Sequence, residues 1–220
     1  MTRSILSLAL GAALLLGVPS LALAQGAPAA AASATSASKI VQDSSTRILS
    51  TLETRRAEFR GNPAALKQFV TTEFNRAFDK DYAARLVLGV HGRGASDADV
   101  VAFANALSDN LMSRYGQSLL DFNTKLQTKV LGETSLPNNK GKRVSTQMLR
   151  QGGEPIPVDY LLREVNGQWK IFDVMIEGIS YVQTFKTQFD APLRQKTIAQ
   201  VTDDLRNGRM QANGGAGGQR

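Results

Sequence analysis

Residues 169–189 read WKIFDVMIEGISYVQTFKTQF, and the fold turns on how this stretch is parsed. It follows Asn166-Gly167, a pair whose members both tolerate positive φ and which, between two β-rich runs, signals a tight hairpin. The spacing predicts that residues 160–165 pair antiparallel with residues 168–173, with Val165 opposite Gln168. A regular ladder puts Ile156, Val158, Tyr160, Leu162, Trp169, Ile171, Asp173, Met175 and Glu177 on one face. Leu161, Val165, Phe172, Val174 and Ile176 take the other. Both sets are largely apolar, whereas a hairpin with one solvated face alternates, so each face needs apolar cover. At Gly178 the strand is predicted to break and run straight into a helix bearing Tyr181, Val182, Phe185 and Phe189. Glu177 is expected to cap that helix, and Asp173 to pair with an arginine or a backbone amide.

Outward from this block, residues 126–134 and 142–150 read as two further strands, set off by Pro137-Asn138-Asn139 and Gly152-Gly153. The half before them is helical. Ile40, Ile48, Leu52 and Phe59 fall at helical spacing, and Asn62-Pro63 is a cap with a first-turn proline that starts a second helix lined by Phe69, Val70, Phe74 and Phe78. A short helix from Asp81 ends at Gly89. Ser96 with Asp99 caps the longest helix, whose stripe of Val100, Phe103, Leu107, Leu111, Tyr115, Leu119 and Phe122 spans about six turns. Pro192 is expected to restart a last helix carrying Ile198, Val201 and Leu205. Helices first and antiparallel sheet second is α+β segregation.

The ends read differently. Arg3, an apolar run over residues 5–18 and Ala22-Leu23-Ala24 form a secretory leader over residues 1–24, cleaved after Ala24, which implies the periplasm. Residues 25–38 are an Ala, Ser, Pro and Gly lead-in without periodicity, residues 39–208 one domain, and residues 209–220 a glycine-rich tail, both ends expected to be disordered. The chain has no cysteine, so it offers neither a disulfide nor an acylation site for a lipid anchor. Beyond the leader no apolar run approaches the length that spans a bilayer. Without the leader, 25 Lys and Arg face 19 Asp and Glu, a moderate positive charge that suits a solvated surface or weak attraction to anionic lipid or acidic partners. Export and the lack of basic-aromatic interleaving argue against nucleic acid.

His91 is the only histidine, so an ordinary zinc site or a nucleophile–base pair is not expected, and the residue reads as an exposed loop position. Gly92-Arg93-Gly94 follows a helix rather than a strand, so it is no nucleotide loop. Tyr160, Asp173 and Glu177 share a face if the strand is regular, and a tyrosine beside a desolvated carboxylate could move protons.

The hairpin block, with Tyr160, Trp169-Lys170, Phe172-Asp173-Val174, Ile176-Glu177-Gly178-Ile179-Ser180 and a helix ending in Gln188-Phe189, resembles the MlaC (toluene-tolerance) family of periplasmic phospholipid-binding proteins. The likeness extends over residues 40–205 through Leu88-Gly89 and the long helix. It departs at Val90-His91-Gly92, where the family usually has an aromatic, and at Phe185-Lys186 in place of Tyr-Arg.

The resemblance implies a nuclear-transport-factor-like core, with helices around a strongly twisted sheet of four or five strands and an apolar cavity for acyl chains. Val158, Tyr160, Leu162, Ile171, Val174, Met175, Ile179, Val182 and Phe185 are the lining it implies. It implies no enzyme activity and no cofactor besides phospholipid cargo. The implied partners are an inner-membrane ABC transporter with its substrate-binding subunit and an outer-membrane lipoprotein complex, in a system that maintains outer-membrane lipid asymmetry. The chain is expected to be a monomer. An isomerase- or dehydratase-like enzyme, a carrier of hopanoid-like lipid and an adaptor without a cavity remain alternatives.

Overall fold

The Asn166-Gly167 turn forms in the computed structural model, which describes residues 35–120 and 126–214, with φ of 51° and 76° at the two positions. It joins β3 (Ile156–Val165) to β4 (Gln168–Ile176), and Val165 pairs with Gln168 as the spacing predicts. With β1 (Gln127–Ser135), β2 (Lys142–Leu149) and β5 (Ile179–Ser180) these strands make one antiparallel sheet in sequence order. The leader, residues 25–34 of the lead-in, Phe122 and residues 215–220 lie outside the described residues.

Two features of β4 overturn the regular ladder. Leu162 pairs with Ile171 but Leu161 pairs with Asp173, so Phe172 is an extra residue and the register shifts there. Such a bulge reverses the alternation beyond it. Val174 and Ile176 therefore join Tyr160, Val158, Leu162 and Ile171 on one face, while Asp173 and Met175 join Leu161 and Asp159 on the other. The second correction concerns the corner. Glu177 and Gly178, with φ of 51° and 81°, turn the chain back into β5 before the helix starts.

Among the described residues there are seven α-helices: α1 (Ala37–Thr54), α2 (Arg56–Gly61), α3 (Pro63–Ala77), α4 (Lys80–Leu88), α5 (Asp97–Tyr115), α6 (Tyr181–Gln195) and α7 (Ile198–Arg206). Asn62 and Ser96 cap α3 and α5 by accepting from the N–H of Ala65 and of Asp99, as their positions predict. The long stripe is shorter than its spacing suggests. Val100, Phe103 and Leu107 are buried, but α5 ends at Tyr115, itself exposed, and a 3-10 turn (Gln117–Leu120) follows. Pro192 does not restart a helix but sits inside α6, and Thr197 opens α7 through a capping box with Gln200.

The core is divided. One cluster is helical, with Val87 and Leu88 of α4, Phe103 of α5, Phe189 of α6 and Val201 of α7, and it contains an edge-to-face Phe103–Phe189 pair 5.3 Å apart. A second joins α1 and α3 to the sheet through Ala37, Val41, Ala77, Val144, Leu162 and Ile171. The third closes the far ends of those helices around Leu52, Phe59, Leu66 and Leu120.

The tail does not begin where composition places it. Residues 209–214 pack onto the helices: Ala212 is fully buried and its N–H donates to Asn110 Oδ1, while Asn110 Nδ2 donates to the carbonyls of Leu205 and Met210. Asp204 accepts from Lys196 Nζ at 2.6 Å and Arg209 Nε at 2.7 Å, which joins α6, α7 and the tail. Those two hydrogen bonds hold its carboxyl below the usual carboxylate range. A depressed folded pKa gives stability that is present above the unfolded value, about 3.9, and lost as pH falls through the folded one. Asp204→Asn should therefore melt lower than the parent at neutral pH and lose less on acidification below about pH 4. Thermal melts between neutral and acidic pH check this, and parallel pH curves for the two proteins would rule it out.

Candidate functional site

The bulge gathers five of the nine expected lining residues on one face. Val158, Leu162 and Ile171 are buried there, and Tyr160 and Val174 are half-buried. The Tyr160 phenol is pushed above its ordinary pKa by burial, partly offset by a hydrogen bond with Ser45 of α1. Helix α1 seats on this face at its N-terminal end, where Ser38 donates through its N–H and its hydroxyl to Glu133 of β1 at 2.9 Å each. Arg47 of α1 reaches Glu73 of α3 at 2.7 Å, and Arg76 reaches the same buried carboxylate at 3.3 Å, so the two helices are tied together above the sheet.

Beyond the α1 contact the face is mostly apolar, interrupted by Thr146 opposite Val158 and Thr128 opposite Met148. Met148 pairs with Ile156, and Val158 with Ile176. Among the described residues, half-buried Met148, Ile156 and Ile176 are packed into none of the three core clusters. An apolar sheet end left outside the packed clusters can hold a chain-like apolar ligand. Met148, Ile156 and Ile176 were absent from the expected lining. A regular ladder puts Ile176 on the opposite face because a bulge leaves no composition signal, and Met148 and Ile156 follow from register once strand pairing is known.

The other four expected residues lie elsewhere. Met175 is on the opposite face, with Arg143 Nη2 4.0 Å from its sulfur. Ile179 is 56% exposed in β5. Val182 and Phe185 belong to the helical cluster.

The bulge also separates Tyr160 from the carboxylates. Asp173, 7% exposed, accepts from Ser180 Oγ at 2.6 Å and from the N–H of Val182 at 3.0 Å, so its oxygens hold the start of α6. It meets the backbone amide expected of it. Glu177 does not cap α6; Ser180 does, accepting from the N–H of Gln183, and Glu177 is exposed on the turn. The arrangement thus lacks the tyrosine–carboxylate cluster that proton transfer needs.

A separate cavity of about 380 Å³ opens between the 3-10 turn (Gly89–Gly92) and the start of α7, lined by His91, Arg93, Asp99, Leu193, Lys196 and Thr197 among others. His91 is not the exposed loop residue its neighbours suggest: Nε2 lies 2.9 Å from Asp190 Oδ1 of α6. The Asp190 carboxyl is held below its usual range by hydrogen bonds from His91 and then Arg194. Among the described residues, no group of three or more His, Cys, Asp or Glu is gathered to hold a metal, and no helix is long and apolar enough to cross a membrane.

The profile of the family described as MlaC protein matches residues 42–207. Toluene tolerance protein ttg2D of Pseudomonas putida is 28% identical over 155 residues, which are 68% of this chain and 69% of that one. A solved structure of a phospholipid-binding protein from Ralstonia solanacearum, in complex with a phospholipid, superposes with a TM-score of 0.69 at 19% identity. The superposition covers 79% of this chain and 97% of that one, and it is a likeness of fold.

The β4–α6 corner makes its own prediction. Asn at position 173 keeps one acceptor but loses the charge on both hydrogen bonds, so Asp173→Asn should destabilise by about 1–3 kcal/mol. Glu177 is a non-glycine residue at φ 51°, and Glu177→Asn should raise stability by a few tenths of a kcal/mol to about 1. Denaturant unfolding of both variants measures this. An unchanged midpoint for Asp173→Asn would mean that the carboxylate does not anchor α6.

Proposed function

Since the chain belongs to the MlaC family, we propose that it carries phospholipid through the periplasm, sheltering the acyl chains against the sheet face of Val158, Tyr160, Leu162, Ile171 and Val174. The observation that carries this reading is the apolar end of that face, Met148, Ile156 and Ile176, left outside the helix-packed clusters. Each methylene taken from water is worth about 0.8 kcal/mol, so two acyl chains do not cross an aqueous space unshielded. A carrier therefore offers a dry site whose affinity is near that of a bilayer, or lipid fails to enter or fails to leave.

Membership of the MlaC family favours the partner that the resemblance implies, an inner-membrane ABC transporter with its substrate-binding subunit. An outer-membrane lipoprotein complex is the second, in a cycle that maintains outer-membrane lipid asymmetry, with the carrier acting as a monomer. Direction comes from those partners. The rival enzyme reading loses its motivation, because Asp173 and Tyr160 point to opposite faces and Glu177 is on the surface.

Native mass spectrometry of the purified chain should find co-purified phospholipid, and a protein that is bare after gentle purification from its own periplasm would count against a carrier. Placement of the site follows from two glutamates. Val174→Glu puts an unpaired carboxylate into the apolar face at a cost of several kcal/mol and should abolish lipid retention. Ile179→Glu, at an exposed position, should retain a full load. The reverse pattern, in variants folded by circular dichroism, would move the cargo to the β5 edge.

A further inference from the structure

The cavity beside His91 shares no lining residue with the proposed acyl-chain face, and its surroundings combine three features. Its lining includes Arg93 and Lys196. Lys186 lies against the same turn, its Cε 3.0 Å from where a Cβ on Gly89 would sit. Among the described residues neither Arg93 nor Lys186 meets a carboxylate. Of the acids nearby, Asp190 pairs with His91 and Arg194 and Asp204 with Lys196 and Arg209, while Asp99 accepts from the Ser96 hydroxyl at 2.7 Å and keeps its charge, so Arg93, Lys186, Arg194, Lys196 and Arg209 outnumber the acids. Positive charge is thus in surplus around an open cavity. At the tip of the same turn Val90 is 59% exposed, an aliphatic side chain held out among cations.

Cations around a cavity, with an aliphatic side chain projecting beyond them, match the surface of an anionic bilayer, where phosphates lie just outside the first apolar layer. We propose that the cavity between the Gly89–Gly92 turn and α7 seats the phosphate of an anionic phospholipid headgroup at a membrane surface, with Arg93 and Lys186 facing the phosphates and Val90 entering the headgroup layer. An acidic protein surface would use the same cations but gives Val90 no role. The site is independent of the cargo face, so it can fail while lipid carriage stands.

The test is flotation of the mature chain with vesicles of equal parts phosphatidylcholine and phosphatidylglycerol, beside vesicles of phosphatidylcholine alone. The chain should float with the first and not the second, and should be released at about 1 M salt, where the screening length is about 3 Å. Near an anionic surface, Arg93→Gln should weaken binding roughly fivefold and Arg93→Glu roughly thirtyfold. Val90→Ser should weaken it a few-fold by removing apolar contact. Lipid load by native mass spectrometry should be the same in all variants. Equal flotation of parent and Arg93→Glu, or equal binding to both vesicle types, overturns the proposal. So does inorganic phosphate shifting the amide resonances of Arg93 and Ala199 without any vesicle binding, which would make this a free-anion site. Capture by an acidic protein surface with no flotation would overturn it in the same way.

Discussion

One extra residue in β4 decides which way the second half of the sheet faces. Because side chains alternate with a period of two, Phe172 opposite the Leu161–Leu162 step moves everything after it to the other side. With the bulge, Ile171, Val174 and Ile176 form a continuous apolar file with Leu162, Tyr160 and Val158. Without it, Asp173 would point into that file and Val174 away from it. The acid would then be buried unpaired against α1, at a cost of several kcal/mol, and the start of α6 would lose its acceptor. The bulge residue is itself packed, edge-on against Tyr82 of α4 at 5.3 Å, and Arg163 lies over the same Tyr82 ring at 4.1 Å while pairing with Asp79. Sheet register and the position of α4 are therefore one constraint seen from two sides.

Asp173 converts that register into a connection between cores. Its carboxylate bonds the N–H of Val182, and Val182 packs in the helical cluster with Phe185 and Phe189. Ile171, two residues earlier in β4, packs in the sheet cluster with Val41 and Leu162. The strand thus holds helix α6 by a charged hydrogen bond at the N-terminal end, where the helix dipole favours negative charge.

Much of this was legible in the sequence because it rests on local chemistry. Asn166-Gly167, the Asn62 and Ser96 caps and the glycine end of α4 each use a few adjacent residues, and all four form as read. What escaped depends on distant partners. The bulge is a property of two strands, and Phe172 looks like an ordinary strand residue. The Glu177-Gly178 turn was hidden because a glutamate at positive φ is unusual, and the short β5 it creates has only two residues to betray it. Pro192 inside α6 misled for a related reason: a proline normally ends a helix, but here Phe189 and Leu193 are buried on either side of it and packing keeps the helix going. The docking of residues 209–214 rests on Asn110, about a hundred residues away, which composition of the tail cannot announce. Of the expected lining, the five β3 and β4 residues that share the bulge-aligned face come together; Met175 is turned away by the bulge, and Ile179, Val182 and Phe185 by the turn and β5 that interrupt the strand-to-helix path.

The division of the core bears on how a carrier can load and unload. If one core served both for stability and for holding cargo, each release would expose surface that keeps the chain folded. Here Phe103, Phe189, Val201 and Leu205 make a helical core that shares no residue with the proposed cargo face. Helices α1 and α3 meet the sheet through the cluster around Val41 and Leu162, flanked by the Ser38–Glu133 and Lys170–Arg76 hydrogen bonds, and close on one another through Leu52, Phe59 and Leu66. What joins these two clusters along α1 is polar, the Ser45–Tyr160 hydrogen bond and the Arg47–Glu73–Arg76 bridge. Because Glu73 is buried, pulling its arginines away strands a charge, so this bridge costs more to open than an ion pair on the surface. The wall over the proposed cargo face is thus held to the sheet by apolar contacts at the start of α1 and by polar ones further along it, apart from the helical core.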